Sequence, residues 1–406
     1  MRRPWKIGAL LLGTALLGAA TVTLSMSDRG SFIAKLWTDG QARNISYWEL
    51  LTLAFGFDSD QDVLDRARSQ PEVVEPVKDY VEKRVSPTRI ETGKLKIAEW
   101  QQDAADIEKE YGVPANVLVA IWGIESNFGK SMGDKSVLGS LATLTRAGYR
   151  ADYFNSELLA ALEITRDGKI DKAQMVGSWA GAMGQVQFMP TSYLNYAVDY
   201  DGDGRADIWN SIPDALASTA NFLKQSGWKR DSDWGYEVKI PKDFDFAAAW
   251  KKKNPSLADW AKMGLERADG KPFPHPKEKA RFYLPAGGEG PAFLVLKNFD
   301  VIKRYNNADS YALAVAHLAD RIAGKDPFVS PWPEDVMPLS RSERKELEQL
   351  IATKVLTTPG QPAANPSHAI RLAIIKFQKT EGLLPDGHPS KALLQRLRDW
   401  SPASAS

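Results

Sequence analysis

Cysteine is absent from the chain and histidine is scarce. Without cysteine, the protein cannot form disulfides, use a thiolate nucleophile or bind zinc through thiolates. The four histidines are scattered, without the spacing of metal ligands: His275, His317, His368 and His388. Their number alone leaves a Ser-His-Asp triad open, but none of them lies in a sequence context that indicates one.

An excess of charge of either sign is also missing. The 52 Lys and Arg residues nearly balance the 51 Asp and Glu residues, which gives a formal net charge of +1. Nucleic-acid binding usually shows as a concentrated basic patch, so we expect no nucleic-acid partner. With 406 residues, of which 43% are hydrophobic and 25% charged, the chain is predicted to be globular and to contain two or more domains.

The N-terminus has the charge order of a secretory signal. Arg2, Arg3 and Lys6 precede an apolar run from Ile7 to about Leu24. Because this run approaches the ~18 residues that can span a bilayer, residues 1–26 are predicted to be either a signal peptide or an uncleaved membrane anchor. A lipoprotein anchor is excluded, since it needs a cysteine. Both interpretations place the body of the protein outside the cytoplasm.

Helical periodicity dominates the rest of the chain, with one interruption. Apolar residues recur at helical spacing between residues 32 and 110, and again from Asp309 to Ile322. Between Trp228 and Phe299 the pattern alternates instead, which predicts short strands at Tyr236–Ile240 and Phe293–Leu296. We therefore expect a mainly α (α+β) protein with a small mixed α/β insertion.

The most informative residue is Glu125, at the end of the apolar run Val117–Ile124. Burial in a low dielectric disfavours the charged form of a carboxyl group, so the pKa of such a glutamate rises. A raised pKa would make Glu125 a general acid that can protonate a leaving group near neutral pH. The sequence that follows, Ser126–Gly129, leaves a second interpretation open, in which Glu125 only caps or pairs at a helix end.

The segment Gly177–Pro190 is dense in small residues. Small residues allow close approach of the backbone, either to a neighbouring helix or to a ligand, and tight helix packing is the more common use. Ser178 and Gln187 add polar groups that can bind an amide or a hydroxyl of a substrate.

An aspartate-rich loop resembles the first nine positions of an EF-hand calcium loop. The residues at its ligand positions are Asp199, Asp201, Asp203, Arg205 (through its backbone carbonyl) and Asp207. Gly204 stands where the sharp turn needs a glycine, but Asn210 replaces the bidentate glutamate at the last position. The closing carboxylate would then come from Asp214. An Asp/Gly-rich turn without a metal is the alternative.

A second catalytic carboxylate is hard to find. Ordinary glycosidases use two carboxylates that flank the scissile bond. Between Ala115 and Gly139 the sequence offers only Asp134 besides Glu125. Asp134 lies in a polar stretch, where a loop role is the simpler interpretation.

Together these residues resemble the lytic murein transglycosylase B family (glycoside hydrolase family 103). The resemblance rests on Ala120–Gly129, on Gly181–Pro190, on the aspartate-rich loop and on Arg304-Tyr305-Asn306, in a consistent order along the chain. It implies an enzyme that cleaves the β-1,4 bond between N-acetylmuramic acid and N-acetylglucosamine of peptidoglycan. Such enzymes use no water and leave a 1,6-anhydro ring.

The resemblance also assigns roles. Glu125 would act first as acid and then as base, and the acetamido group of the substrate would replace a carboxylate nucleophile, which fits the single carboxylate. Ser178, Gln187, Tyr305 and Asn306 would orient the sugar near the bond or form hydrogen bonds with it. The chemistry requires no cofactor, and a Ca²⁺ ion in the aspartate-rich loop would only stiffen the protein.

Two positions depart from the family pattern. Phe222 stands where a tyrosine is expected, so we expect one polar contact with the substrate to be lost. The loop between Asp207 and Asp214 is one residue longer than in the family, which leaves the last calcium ligand open.

Composition and resemblance divide the chain into four parts. These are a signal peptide or anchor at 1–26, a lysozyme-like catalytic domain at 27–325, a proline-rich linker at 326–338 and a helical module at 339–400. The module resembles the three-helix peptidoglycan-binding domain through Ala369–Leu394, although Thr358–Pro362 replaces the usual Asp-Gly turn. A plain helical appendage is the alternative.

The resemblance further implies partners and a location. Peptidoglycan glycan strands are the expected partners, together with proteins of cell-wall synthesis or division. The expected location is the periplasm, with attachment to the inner membrane where the N-terminal segment is retained.

Three other functions stay open from the sequence. A muramidase-type hydrolase would need a second carboxylate near Glu125. A non-catalytic peptidoglycan-binding protein would keep the groove and lose the chemistry, against which the presence of Glu125, Tyr305 and Asn306 argues. A calcium sensor is weakly supported, because the loop has no second EF-hand to pair with.

Overall fold

The computed structural model describes residues 30–69, 75–334, 337–355 and 366–400. The predicted signal or anchor segment and the Thr358–Pro362 turn lie outside the described residues. None of the helices in the described ranges is both long enough and apolar enough to cross a bilayer.

Helices account for most of the described chain, which confirms the prediction of a mainly α protein. They are 30–42 (α1), Tyr47–Gly56 (α2), Gln61–Ser69 (α3), Val77–Arg84 (α4), Pro87–Glu99 (α5), Gln101–Tyr111 (α6), Ala115–Ser126 (α7), Val137–Arg146 (α8), Ala151–Arg166 (α9), Pro190–Tyr196 (α10), Ile212–Gln225 (α11), Phe246–Lys251 (α12), Leu257–Ala261 (α13), Lys297–Tyr305 (α14), Asp309–Ile322 (α15), Arg341–Lys354 (α16), Pro366–Thr380 (α17) and Lys391–Asp399 (α18). The strands are Lys135–Ser136 (β1), Val176–Gly177 (β2), Gly235–Lys239 (β3), Glu266–Arg267 (β4), Arg281–Tyr283 (β5) and Ala292–Val295 (β6).

The chain divides into two compact units. The first contains the described parts of Met1–Arg68 and Lys130–Ala215, and the second contains those of Ser69–Gly129 and Leu216–Ser406.

In the first unit, helix α9 packs against α8 on one side and α10 on another. Glu157 of α9 is buried, and its carboxylate accepts hydrogen bonds from the backbone N–H and the hydroxyl of Thr191, at 2.9 and 2.8 Å. These two bonds satisfy donors in the first turn of α10. Strands β1 and β2 pair antiparallel beside this helical layer.

In the second unit, helix α7 lies among α5, α6 and α15, and α15 also packs against α4 and α14. The apolar residues of α7 are buried on all sides, as in a core helix: Val117, Leu118, Val119, Ala120, Ile121, Trp122 and Gly123. The Asn116 side chain donates a hydrogen bond to the Ala319 carbonyl at 3.0 Å, which joins the first turn of α7 to the end of α15.

The predicted insertion is a four-stranded antiparallel sheet in the order β4-β3-β6-β5. Both predicted strands are confirmed within one residue, as β3 and β6. One face of the sheet and helices α12 and α13 enclose an aromatic core around Phe282, whose ring lies 5.6 Å from Trp260 and 5.2 Å from Trp250.

Helices α16, α17 and α18 enclose a core of their own, which includes Leu347, Ile351 and Phe377. The module also contacts the insertion, because Ile375 of α17 belongs to the aromatic core of the sheet. The guanidinium of Arg371 lies 3.9 Å from the centre of the Trp250 ring, a cation–π geometry.

Asp386 makes the polar part of the same contact. Its Oδ2 accepts a hydrogen bond from the Gly288 backbone N–H at 2.8 Å, and its carbonyl accepts one from the Trp250 indole, also at 2.8 Å. Inside the module, Oδ1 accepts hydrogen bonds from the Gln378 amide at 2.7 Å and from the His388 backbone at 2.8 Å. The Asp386-Gly387 turn is therefore held between the module and the insertion.

The proline-rich segment follows the surface of the insertion. The backbone N–H groups of Val329 and Ser330 donate hydrogen bonds to the carboxylate of Glu237, at 2.8 and 2.7 Å. Phe328 stacks on the buried ring of His317 with a centroid distance of 3.7 Å.

These contacts predict the effect of replacing Asp386. We expect Asp386→Ala to lower the free energy of unfolding by about 1–3 kcal/mol, because it leaves buried donors without an acceptor. Urea denaturation followed by circular dichroism measures the loss. Asp399→Ala, at an exposed aspartate of the same module, is the matched control. Equal stability of the two variants would contradict the structural role of Asp386.

Candidate active site

Helix α7 has a defined start and an unusual end. At its start, the Glu108 carboxylate accepts a hydrogen bond from the Ala115 backbone N–H at 2.8 Å, so a side chain from the preceding helix caps it. At its end, Asn127, Phe128 and Gly129 all have left-handed backbone angles, with φ of 52°, 58° and 82°. The chain therefore turns sharply two residues after Glu125.

Packing stabilises this turn against the strain of the left-handed conformation, which costs about 1–2 kcal/mol for a residue with a Cβ. The Phe128 ring is buried and packs edge-on against Trp122, with a centroid distance of 5.6 Å. It lies so close to the helix that a Cβ at Gly123 would approach it to 2.7 Å. Gly123 and Phe128 thus fix the end of the helix that carries Glu125.

The carboxyl group of Glu125 is held by a tyrosine that is distant in sequence. The hydroxyl of Tyr311, on α15, donates a hydrogen bond to Glu125 Oε1 at 2.6 Å, and Tyr311 is buried. Burial raises the pKa of Glu125 to about 7, although the Tyr311 hydrogen bond and the positive charge of Arg84 both lower it. The predicted raised pKa is therefore confirmed, and its cause is the apolar surroundings.

Two further aromatic rings pack in sequence from Tyr311. Tyr305, the last residue of α14, stacks nearly parallel to Tyr311 with a centroid distance of 6.5 Å. Phe222 of α11 packs edge-on against Tyr305 at 4.9 Å. Burial and the neighbouring Glu125 carboxylate raise the pKa of both tyrosines well above the usual value, so both stay protonated.

A cation of helix α4 completes the electrostatics. The Arg84 guanidinium lies 3.4 Å from the centre of the Tyr80 ring and pairs with Glu75 at 3.3 Å. The groups that shift the pKa of Glu125 besides burial are Tyr311 and Arg84, and neither is a carboxylate. Both lower the pKa and so oppose the effect of burial.

Of the other residues predicted for the site, Tyr305 and Asn306 lie in the second unit together with Glu125. Asn306 ends α14 and is exposed. Ser178 and Gln187 lie in the first unit, and so does the exposed Asp134.

Ser178 and Gln187 stabilise two successive turns, so the small residues serve tight turns in this segment. The Ser178 backbone donates a hydrogen bond to the Ala182 carbonyl at 2.8 Å, and the Ala182 backbone donates one to Ser178 Oγ at 3.0 Å. Gln187 has a φ of 52°, and its Nε2 donates to the carbonyls of Met132 and Gly184 at 3.0 and 2.9 Å.

The aspartate-rich loop brings together three exposed carboxylates. Oxygens of Asp199, Asp201 and Asp203 all lie within 4.8 Å of one another. Calcium binds oxygens at about 2.3–2.6 Å, so this separation fits oxygens that share one ion. The turn of the loop is stabilised by Asp199, whose carboxylate accepts hydrogen bonds from the backbone N–H groups of Gly202 and Gly204, both at 2.8 Å.

Asp214 lies beneath this loop rather than on its surface. It is buried, and its carboxylate accepts hydrogen bonds from the backbones of Tyr200 and Asp207, both at 2.8 Å, and of Asp201 at 3.3 Å. Burial raises its pKa, while these hydrogen bonds lower it. The Arg205 backbone N–H donates to Asp203 Oδ1 at 2.8 Å.

The sequence analysis missed Tyr311, Tyr80 and Arg84. A signal for Tyr311 was present, because it precedes Val315 and Ala319 at helical spacing on α15. A tyrosine on an apolar helix face usually needs a hydrogen-bond partner there. Nothing comparable marks the other two residues.

A half-buried, tyrosine-bound glutamate of near-neutral pKa on a core helix, with aromatic rings beside it, is the arrangement of a glycan-cleaving enzyme that works with one acid. The sequence matches the Transglycosylase SLT domain family over residues 28–320. The chain therefore belongs to this family of lytic transglycosylases, as the sequence analysis expected.

Known proteins with similar sequences or structures agree with this assignment. Membrane-bound lytic murein transglycosylase B of Escherichia coli (strain K12) is 33% identical over 250 residues, which are 60% of this chain and 66% of that protein. SltB3 of Pseudomonas aeruginosa, solved in complex with NAG-NAM-pentapeptide, is 43% identical with a TM-score of 0.83, over 91% of this chain and 99% of that one. It has also been solved with NAG-anhNAM-pentapeptide. Escherichia coli Slt35 in complex with calcium is 30% identical with a TM-score of 0.60, over 73% of this chain and 92% of that one.

The raised pKa of Glu125 predicts a pH dependence of stability. Between about pH 4.5 and pH 7 the folded protein keeps the Glu125 proton while the unfolded chain has lost it, so the free energy of unfolding falls as the pH rises. Relative to Glu125→Gln, we expect the wild type to lose on the order of 2–3 kcal/mol between about pH 4 and pH 8. Urea denaturation across this range measures the difference.

A second variant tests the cause. Tyr311→Phe removes the hydrogen bond that favours the ionised carboxylate, so the step in stability should move to higher pH. A difference between wild type and Glu125→Gln that is constant with pH would contradict the raised pKa.

Proposed function

We propose that the chain cleaves the β-1,4 bond between N-acetylmuramic acid and N-acetylglucosamine of peptidoglycan and forms a 1,6-anhydromuramoyl product without water. The single observation that carries this proposal is the Glu125 carboxyl group, bound by Tyr311 and with a pKa of about 7. At neutral pH both of its protonation states are populated, so one group can serve as acid and then as base.

In the first step, Glu125 gives its proton to the glycosidic oxygen, and the bond from this oxygen to C1 of the muramic acid breaks. The acetamido group of the same sugar stabilises C1 in place of a carboxylate. In the second step, the Glu125 carboxylate takes the proton of the C6 hydroxyl, whose oxygen then bonds to C1. The NAG-anhNAM-pentapeptide complex of SltB3 supports such a product for this chain.

Tyr311 holds the carboxyl group in both steps. Its hydroxyl donates to Oε1 at 2.6 Å, so we assign the proton transfer to Oε2. Because Tyr311 remains protonated, it donates a hydrogen bond to Glu125 but cannot accept the proton of the Glu125 carboxyl group. Tyr311 therefore positions Glu125 and stabilises the ionised form between the two steps.

The remaining proposed contacts concern the sugar. Gln187 uses its Nε2 for backbone carbonyls, so we propose that Oε1 faces the substrate. Ser178 Oγ accepts a backbone N–H, which leaves its hydroxyl hydrogen for donation. Tyr305 would support the sugar with its ring, and Asn306 would form hydrogen bonds through its exposed amide. Phe222 packs on Tyr305 and would contribute no polar contact.

We also propose that the aspartate-rich loop binds Ca²⁺ as a structural ion. The carboxylates of Asp199, Asp201 and Asp203 and the carbonyl of Arg205 would bind it, while Asp214 would act through the loop backbone that it holds. The calcium complex of Slt35 supports this proposal. The ion would stiffen the loop and take no part in bond cleavage.

Domain roles and location complete the proposal. Residues 27–325 would form the catalytic domain, 326–338 the connection, and 339–400 a peptidoglycan-binding-like module. Residues 1–26 would direct export of the chain to the periplasm. This segment would then either remain as an inner-membrane anchor or be removed. The membrane-bound relative supports this location, and proteins of wall synthesis or division would be its protein partners.

The products of purified peptidoglycan test the reaction. We expect the wild type to release muropeptides lighter than hydrolytic ones by one water, and Glu125→Gln to be slower by about 10²–10⁴-fold. Mass spectrometry identifies the products, with Glu110→Gln at an exposed glutamate as the control. Products with reducing ends would instead show a hydrolase. Wall binding without any release would show a binding protein.

Thermal unfolding tests the calcium site. Ca²⁺ at about 100 times its dissociation constant should stabilise the wild type by about 2.7 kcal/mol, and the double variant Asp201→Asn/Asp203→Asn should lose this gain. Asp152→Asn, which makes the same substitution once at an exposed position of α9, should retain it. An undiminished gain in the double variant would contradict the proposed ligands.

A further inference from the structure

Helix α2, in the first unit, exposes aromatic side chains to solvent. Trp48 is 75% exposed, Phe55 53% and Tyr47 49%. The opposite side of the helix is buried through Leu50 and Leu53. Single exposed apolar residues are common, but three large aromatic residues on one short helix form a patch that is typical of an interaction surface. We call Tyr47, Trp48 and Phe55 the aromatic face of α2.

The aromatic face carries no charged side chain, and its polar groups are the hydroxyl of Tyr47 and the indole N–H of Trp48. The one charged residue of α2 is Glu49, and its carboxylate accepts hydrogen bonds from the backbone and hydroxyl of Ser46 at 2.7 and 2.6 Å. Thr52 is exposed, but its hydroxyl donates to the Trp48 carbonyl at 2.8 Å. The Glu49 carboxylate and the Thr52 hydroxyl are thus engaged within the helix and its cap.

The aromatic face lies close to the point where the N-terminal segment meets the described chain. Arg146 donates hydrogen bonds to the carbonyls of Ala54 and Phe57, both at 2.7 Å, and its guanidinium lies 4.9 Å from the centre of the Phe32 ring. The C-terminal end of α2 is therefore beside the first turn of α1. The residues before α1 include the apolar run from Ile7 to about Leu24.

We propose that the aromatic face of α2 rests on the surface of the phospholipid bilayer, beside the membrane segment proposed at residues 1–26. Tryptophan and tyrosine are enriched at membrane–water interfaces, where their rings lie at the level of the headgroups. A helix lying in this plane buries its apolar side about 5–10 Å into the boundary between headgroups and acyl chains. The N-terminal segment and α2 then hold the first unit at the membrane by two contacts.

The chemistry of the face favours lipid over a sugar chain. Sites for polar ligands combine aromatic surface with placed polar side chains, and the Glu49 and Thr52 side chains beside the face are engaged as described. The Tyr47 hydroxyl and the Trp48 indole N–H belong to amphipathic rings of the kind that is enriched at membrane interfaces. The inference rests on the proposed membrane segment at residues 1–26, but it uses no residue of the candidate active site, so its failure would leave the proposed reaction untouched.

The absence of cysteine makes a direct test practical, because any introduced cysteine is the only thiol in the chain. Trp48→Cys and Phe55→Cys each place a fluorescent label on the aromatic face, and Asn195→Cys places it at an exposed position of α10 as the control. The full chain is reconstituted in vesicles of phosphatidylethanolamine and phosphatidylglycerol. These vesicles also contain a lipid that carries a quencher on its acyl chain, close to the headgroup.

We expect the quencher to reduce fluorescence at positions 48 and 55 about two-fold or more beyond the reduction at position 195. Equal quenching at all three positions overturns the proposal. Two other results also overturn it. A blue shift of the label at positions 48 and 55 that occurs without lipid and grows with protein concentration shows that a second copy covers the face. A blue shift that grows with added soluble glycan shows a sugar-binding surface. Thermal unfolding of each labelled variant confirms that the fold is retained.

Discussion

The placement of one carboxyl group in apolar surroundings is the constraint on which the second unit depends. Burial alone would raise the pKa of Glu125 further, and full solvation would leave the carboxyl group ionised at neutral pH. The hydrogen bond from Tyr311 and the charge of Arg84 oppose burial, and the result is a pKa of about 7. Much of the surrounding structure serves this balance: α15 carries the tyrosine, α4 carries the arginine, and the apolar residues of α7 exclude water.

The local features of the fold could be predicted from the sequence. The apolar run before Glu125, the alternating pieces of the insertion and the helix Asp309–Ile322 have periodicities that depend only on neighbouring residues. The grouping of Asp199, Asp201 and Asp203 is also local, because a tight turn brings alternate residues of one loop together. For the same reason the raised pKa of Glu125 could be expected from its apolar context.

Contacts between distant residues could not be predicted in this way. Tyr311 meets Glu125 across 186 positions, and periodicity shows which face of α15 is apolar but not which helix covers it. The hydrogen bonds that Asp214 accepts from the loop backbone have the same origin, because they join a side chain of α11 to a loop that precedes the helix. The contact between the Asp386 turn and the insertion likewise depends on tertiary packing that no local pattern records.

The close fit of Phe128 under Gly123 has a consequence for the evolution of this chain. The absence of a Cβ at position 123 leaves room for the full ring at position 128. A lineage that gains a methyl group at position 123 should therefore also shrink the residue at position 128, or the catalytic end of α7 would move. Among relatives the two positions should change as a pair, and their joint pattern would record where the geometry around the acid has been conserved.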